Sequence, residues 1–101
     1  MFVHHVFFWL KESLSNSEKE KFKAGLMSLI EIDQIKSSHI GLPANTSRGV
    51  IDTSYSYSLL LCFNNEKDEE IYQSHPIHLK FVENCAAFWD KVIVYDSVNV
   101  S

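Results

Sequence analysis

Tyr72-Gln73-Ser74-His75-Pro76-Ile77-His78 places a phenol and two imidazoles around a proline, in a stretch that otherwise reads as helix. These residue types can move protons near neutral pH. An imidazole has an unperturbed pKa of roughly 6.5, so a neutral His78 can take a proton from a carbon acid. A phenol hydrogen-bonded to it can fix the ring or donate to an enolate oxygen, which makes His78 the candidate base and Tyr72 its orienter. The same string has a structural reading. His75 can cap a helix start, His78 can satisfy a backbone carbonyl, and Tyr72 can be ordinary packing surface. Both readings stand on the sequence.

Other chemistries find less support. His4 and His5 are neighbours on a predicted strand, so their side chains leave opposite faces and cannot share a metal. His75 and His78 lie three apart, but the nearest carboxylates, Glu69 and Glu70, precede the break, so no metal site is expected. Gly-rich phosphate loops and a Ser-His-Asp order are absent, and neither cysteine has an evident activating neighbour. No cofactor is expected.

The elements that must position these groups follow from periodicity. Residues 2–10 read as a strand apolar on both faces: Phe2, His4, Val6, Phe8 and Leu10 on one, Val3, His5, Phe7 and Trp9 on the other. Ser15-Asn16-Ser17-Glu18 is a capping box, and Phe22, Leu26, Leu29 and Ile30 make one stripe of a helix over about 16–31. Ile35–Gly41 is a weaker strand, and Gly41–Gly49 a loop by its glycine, proline and small polar content. A strand at 54–63 alternates Tyr55, Tyr57, Leu59, Leu61 and Phe63 with Ser54, Ser56, Ser58, Leu60 and Cys62, and the aromatic side is expected to meet the helices. Pro76 cannot sit inside one helix from 66 to 89, so the second helix is expected in two pieces, 66–73 and 76–89, with Ser74 or His75 as the cap of the second. Its buried face would carry His78, Phe81, Val82, Cys85, Ala86 and Trp89. Residues 91–96 form a last apolar strand.

The order β-α-β-β-α-β is that of an α+β ferredoxin-like fold, two helices on one face of a four-stranded antiparallel sheet, in a single domain spanning 1–101. Two helices cover one face. The other presents Val3, His5, Phe7 and Trp9, more apolar surface than a monomer normally leaves open, so a homodimer packed through the sheet face is expected. Composition excludes other partners. A net charge of −4 with Arg48 as the one arginine gives no basic stripe for nucleic acid. The apolar start Met1–Leu10 lacks a basic leader and is too short to span a bilayer, so no membrane partner is expected and the cytoplasm is the expected location. Cys62 and Cys85 sit in apolar runs without metal-type spacing and are expected as buried free thiols.

Three stretches together resemble the stress-responsive dimeric α/β-barrel (Dabb) family across nearly the whole chain: His4-His5-Val6-Phe7-Phe8-Trp9-Leu10-Lys11, the Tyr-x-x-His-Pro-x-His string continued to Val82, and Val92-Ile93-Val94-Tyr95-Asp96. The resemblance implies a ferredoxin-like subunit that pairs through its sheet into a barrel. Most members have no known activity. One plant member is a polyketide cyclase that closes a linear tetraketide by intramolecular aldol condensation with a Tyr/His pair, and this similarity maps its catalytic residues onto Tyr72 and His78 and its first-strand histidine onto His4. The chain departs from it at two places, with Tyr57 where the cyclase has a pocket histidine and Leu26 where it has a tyrosine.

Two function classes follow. One is a cofactor-independent enzyme or binder for a small apolar carbonyl compound, with His78 and Tyr72 as the working pair and His4, Val6, Phe8, Leu26, Tyr57, His75 and Phe81 as candidate substrate contacts, His4 anchoring a carbonyl or carboxylate. The other is a noncatalytic, stress-related dimer with structural histidines. A cavity of roughly 300 Å³ or more holding His78 and Tyr72 would favour the first.

Overall fold

The computed structural model describes residues 1–101 and sets eight elements in the expected order. Strand β1 runs Phe2–Leu10, helix α1 Asn16–Leu29, strand β2 Ser37–Gly41 and strand β3 Tyr57–Phe63. Helix α2 spans Glu66–Ser74, helix α3 Pro76–Cys85, a 3-10 turn Ala86–Phe88, and strand β4 Trp89–Val98. The sheet order is β2-β3-β1-β4, antiparallel at every pairing. This is the ferredoxin-like α+β fold.

Local signals place the helix ends. Ser15 caps α1 through the Glu18 amide while the Glu18 carboxylate takes the Ser15 amide, so two otherwise orphaned donors are satisfied reciprocally. Asn65 caps α2 through the Asp68 amide. Pro76 opens α3 at its first position, and the His75 ring nitrogen Nδ1 accepts the Ile77 amide at 3.1 Å. Proline's missing donor costs nothing there, which is why the chain breaks at Pro76.

The core lies between the sheet and the helices. Phe2, Val6 and Phe8 of β1, Leu59, Leu61 and Phe63 of β3, Phe22, Leu26 and Leu29 of α1, and Phe81 and Cys85 of α3 are all buried, joined by Ile32 from the turn after α1. Phe8, Phe22, Phe81 and Trp89 stack among themselves with centroids 5.2–6.4 Å apart. Gly25 lets the two helices approach here, because a Cβ on it would lie 2.8 Å from Cys85 Sγ.

Several boundaries differ from the sequence reading. Helix α3 stops at Cys85 instead of continuing to residue 89: Ala86–Phe88 tighten into the 3-10 turn, the Phe88 carbonyl accepts the Lys11 amide, and Trp89 begins β4 opposite Leu10. Val82 is accordingly exposed, not buried. Strand β2 starts at Ser37 and β3 at Tyr57. Ahead of β3, the Asp52 carboxylate accepts the Ser54 amide in a local turn, and Tyr55 stacks on Phe7, on the face away from the helices. Cys85 is buried, whereas Cys62 is only half-buried, and both thiols are free.

The open face of the sheet carries Val3, His5, Phe7 and Trp9, all half-buried, with the Tyr95 and Tyr55 rings against Phe7 and the Lys91 ammonium 4.6 Å over the Trp9 ring. On the helix side β4 is uncovered as well: Val92, Val94 and Asp96, which pair with Phe8, Val6 and His4, are exposed. No helix is long and apolar enough to cross a membrane.

Candidate functional site

Strand alternation decides what His4 meets. It shares the helix side with Phe2, Val6 and Phe8, and it is 6 % exposed, too buried to be satisfied by water. In the β1–β4 ladder it stands opposite Asp96, and its Nδ1 lies 2.7 Å from Asp96 Oδ1. A carboxylate only accepts, so Nδ1–H donates and Nε2 keeps the lone pair. On the other flank Glu69 Oε2 of α2 comes within 3.9 Å of the same nitrogen. Glu69 is itself buried and accepts from Gln73 Nε2 at 2.7 Å one turn along.

Tyr72 follows Glu69 at i+3, so helical spacing brings it to the same face. It is 1 % exposed, its ring 5.9 Å edge-on from His4, 5.4 Å from Phe63 and 4.7 Å from His78. The Tyr72–His78 contact is ring on ring, tilted by 51°. The expected phenol–imidazole hydrogen bond is not made. The orienter of His78 is instead the backbone: its Nδ1 lies 3.0 Å from the Gln73 carbonyl oxygen, an unpaired acceptor that the Pro76 break leaves at the end of α2. A carbonyl also only accepts, so Nδ1–H donates here too and Nε2 is the basic nitrogen.

The electrostatics sort the two groups into roles. Burial pushes the Tyr72 phenol well above its ordinary value and the Glu69 charge adds to this, so Tyr72 holds its proton and is a donor. His78 is shifted down, chiefly by burial, with its hydrogen bond to Gln73 pulling the other way, the nearby His4 lowering it and Glu69 raising it. Its neutral, basic form therefore persists below the usual histidine range.

The remaining candidates sit elsewhere. Phe8, Leu26 and Phe81 are buried in the core, with Phe81 also bordering the cleft between α1 and α3. Tyr57, half-buried against Phe22, is four residues along β3 from Leu61, the partner of His4, or roughly 13 Å at the rise of a strand. His75 is the α3 cap. The structure thus brings together His4, Tyr72 and His78 and adds Glu69 and Asp96, which sequence reasoning did not place at the site. Clefts of about 670, 630 and 350 Å³ open between α1 and α3, beside Trp9 and Asp90, and at Thr46–Ile51, and none of the three is lined by His78 or Tyr72. Of the polar cluster, Asp96 stands exposed on the uncovered helix side of β4.

The sequence profile of the stress-responsive A/B barrel domain matches residues 2–99. The chain belongs to this Dabb family. Solved structures agree with the fold. A Dabb family protein with a ferredoxin-like fold from Mesorhizobium loti is 22 % identical, with a TM-score of 0.79 over 99 % of this chain and 97 % of that one. Hydroxynitrile lyase from Passiflora edulis is 20 % identical, with a TM-score of 0.79 over 99 % and 94 %. A ferredoxin-like protein of unknown function from Thermobifida fusca, described as dimeric, is 17 % identical, with a TM-score of 0.78 over 97 % and 90 %. No curated protein matches this Dabb chain.

Proposed function

We propose that this Dabb protein is a homodimer, paired through the open sheet face, that binds a small apolar carbonyl compound at the His4–Tyr72–His78 cluster and carries out acid–base chemistry on it without a cofactor. The observation that carries the reading is the anchoring of His78: a backbone carbonyl holds Nδ1–H, which leaves Nε2 as a base, beside a tyrosine whose burial keeps it a donor. His78 Nε2 takes the proton from the carbon next to the carbonyl. The electron pair moves onto the carbonyl oxygen, and Tyr72 donates a hydrogen bond to the enolate so formed. His4, held by Asp96, is the second imidazole available to contact the compound. The Passiflora hydroxynitrile lyase supports the idea that this fold can host an enzyme, and the dimeric Thermobifida protein supports the assembly.

A second reading, a noncatalytic dimer with structural histidines, is favoured by the clefts, none of which holds His78 or Tyr72. Substitution separates the two. If the site works, His78→Ala abolishes binding or turnover of a small ketone beyond what the lost Gln73 contact costs in stability, and Tyr72→Phe weakens the same function with the ring retained. If the histidine is structural, His78→Ala lowers stability by about 1–3 kcal/mol, because the Gln73 carbonyl loses its partner. Thermal melts of wild type and both variants with a panel of small ketones decide it. A melting drop for His78→Ala together with no ligand shift in wild type sinks the acid–base proposal.

A further inference from the structure

Glu69 is a carboxylate where a ligand pocket of mainly apolar character has no need of one. It is buried, stands i−3 to Tyr72, and reaches within 3.9 Å of His4 Nδ1, whose other neighbour is Asp96 at 2.7 Å. His4 therefore sits between two carboxylates. Opposite them is an unspent donor: Tyr72 is 1 % exposed, lies between the His4 and His78 rings, and its hydroxyl makes no hydrogen bond within the chain. The ring is buried while the hydroxyl keeps contact with the surface, so its unused donor is open to an acceptor brought by a ligand.

We propose that Glu69, together with Asp96, sets the charge class of the ligand: the site takes neutral or cationic carbonyl compounds that carry a hydrogen-bond donor, and rejects carboxylates. This rests on the acid–base proposal for His78 and narrows its substrate. The ligand carbonyl accepts from Tyr72, while an adjacent hydroxyl or ammonium donates toward Glu69. A carboxylate in the same place would meet two like charges, one of them on a buried residue where water screens poorly. It would also lack a proton to offer. His4 is thereby a poor anchor for an anion despite being an imidazole, because Asp96 and Glu69 already occupy the attraction a protonated ring would exert.

Three probes of matched ring size test this on the intact chain: α-hydroxyacetophenone, which has both the carbonyl and the donor, acetophenone, which lacks the donor, and phenylglyoxylate, which replaces it with a carboxylate, each followed by NMR of the His4 and His78 ring resonances. In wild type, α-hydroxyacetophenone is expected to shift these resonances, acetophenone to do so more weakly, and phenylglyoxylate not to. In Glu69→Gln the affinity ratio of phenylglyoxylate to α-hydroxyacetophenone is expected to rise by about tenfold or more. The amide oxygen can still accept from Gln73 Nε2, so the melting temperature should hold or increase. Should Glu69→Gln fail to fold, Asp96→Asn removes the exposed carboxylate and is expected to move the ratio in the same direction. Phenylglyoxylate binding wild type as tightly as α-hydroxyacetophenone, or a ratio unchanged in the variant, overturns the charge selection and leaves the His78 chemistry standing. If none of the three probes moves the His78 resonances, the acid–base proposal falls and this one with it.

Discussion

Gly25→Ala should destabilise the protein, although alanine in a helix interior ordinarily stabilises it over glycine by about 0.5–1 kcal/mol. The reason is the crossing of α1 and α3. An added Cβ would lie 2.8 Å from Cys85 Sγ and 3.0 Å from Phe81 Cδ1. Optimal carbon contacts begin near 3.5 Å, so both neighbours must give by roughly half an ångström or more. Neither is a free side-chain end. Cys85 and Phe81 are 2 % and 5 % exposed, and the Phe81 ring is fixed by Phe22, Phe8 and Trp89. Overpacking of this kind costs about 1–3 kcal/mol, which exceeds the propensity gain and leaves a net loss of about 1–2 kcal/mol. In a domain of this size that is a fall of about 4–16 °C in melting temperature. The attribution to the sulfur can be tested by a double-mutant cycle. Cys85→Ala alone opens a small void, whereas Gly25→Ala with Cys85→Ala lets the new methyl fill it, so a favourable coupling of about 1 kcal/mol or more is expected from thermal or urea melts. A Gly25→Ala protein as stable as wild type, or a cycle that adds without coupling, would refute the close-approach reasoning.

If the proposed homodimer forms, Phe7→Asp should convert it to monomer or aggregate, weakening association by about 100-fold or more, since it would set an unpaired charge in the sheet-face interface. Light scattering at micromolar concentration checks this, and a monomeric wild type would sink the dimer. Acid should destabilise the fold through His5 and His78, both shifted below the ordinary histidine value with burial as the first cause. The sign follows from linkage. The folded state binds these protons more weakly than the unfolded chain, so stability is complete above about pH 6.5 and declines as pH falls through the lowered folded values. Melting temperatures from neutral to mildly acid pH should drop, with a shallower fall in His78→Gln, and a rise on acidification would contradict the shifts.

The fold was legible because its signals are local and redundant. A strand apolar on both faces, a reciprocal Ser15–Glu18 cap and a proline at residue 76 each have one economical structural solution, and the structure adopts all three. The errors fall where a tertiary contact mimics a local period. Trp89 continues the spacing of Phe81 and Cys85 as though on one helix, and it does pack on Phe81 and Phe8, but it arrives from β4. The apolar pattern identified its destination and not its path. Tyr55 shows the converse: it keeps the alternation of β3 in sequence, yet the Asp52–Ser54 turn takes it out of the ladder and onto Phe7.

The candidate site was only half legible, and the missing half has a common cause. His4, Tyr72 and His78 announce themselves by residue type, but Asp96 matters through the register of a ladder joining residues 92 positions apart, which one sequence does not specify. A usable clue existed. With β1 and the last strand adjacent and antiparallel, alternation puts Asp96 on the side of Val92 and Val94, the only carboxylate of that strand's helix-side face near the end where β1 begins. Glu69 had a nearer signal, three residues before Tyr72 on one helical face, and it reads as ordinary helix surface until the depth of α2 is known. Its burial is what changes its meaning. On the surface it would be one of thirteen acidic residues; within reach of His4 it adds its charge to the burial that keeps Tyr72 protonated, and it is the group on which the proposed discrimination by charge rests. In the chemistry we propose, the histidines that draw attention supply the base, and the two carboxylates within reach of His4 decide which ligands it can meet.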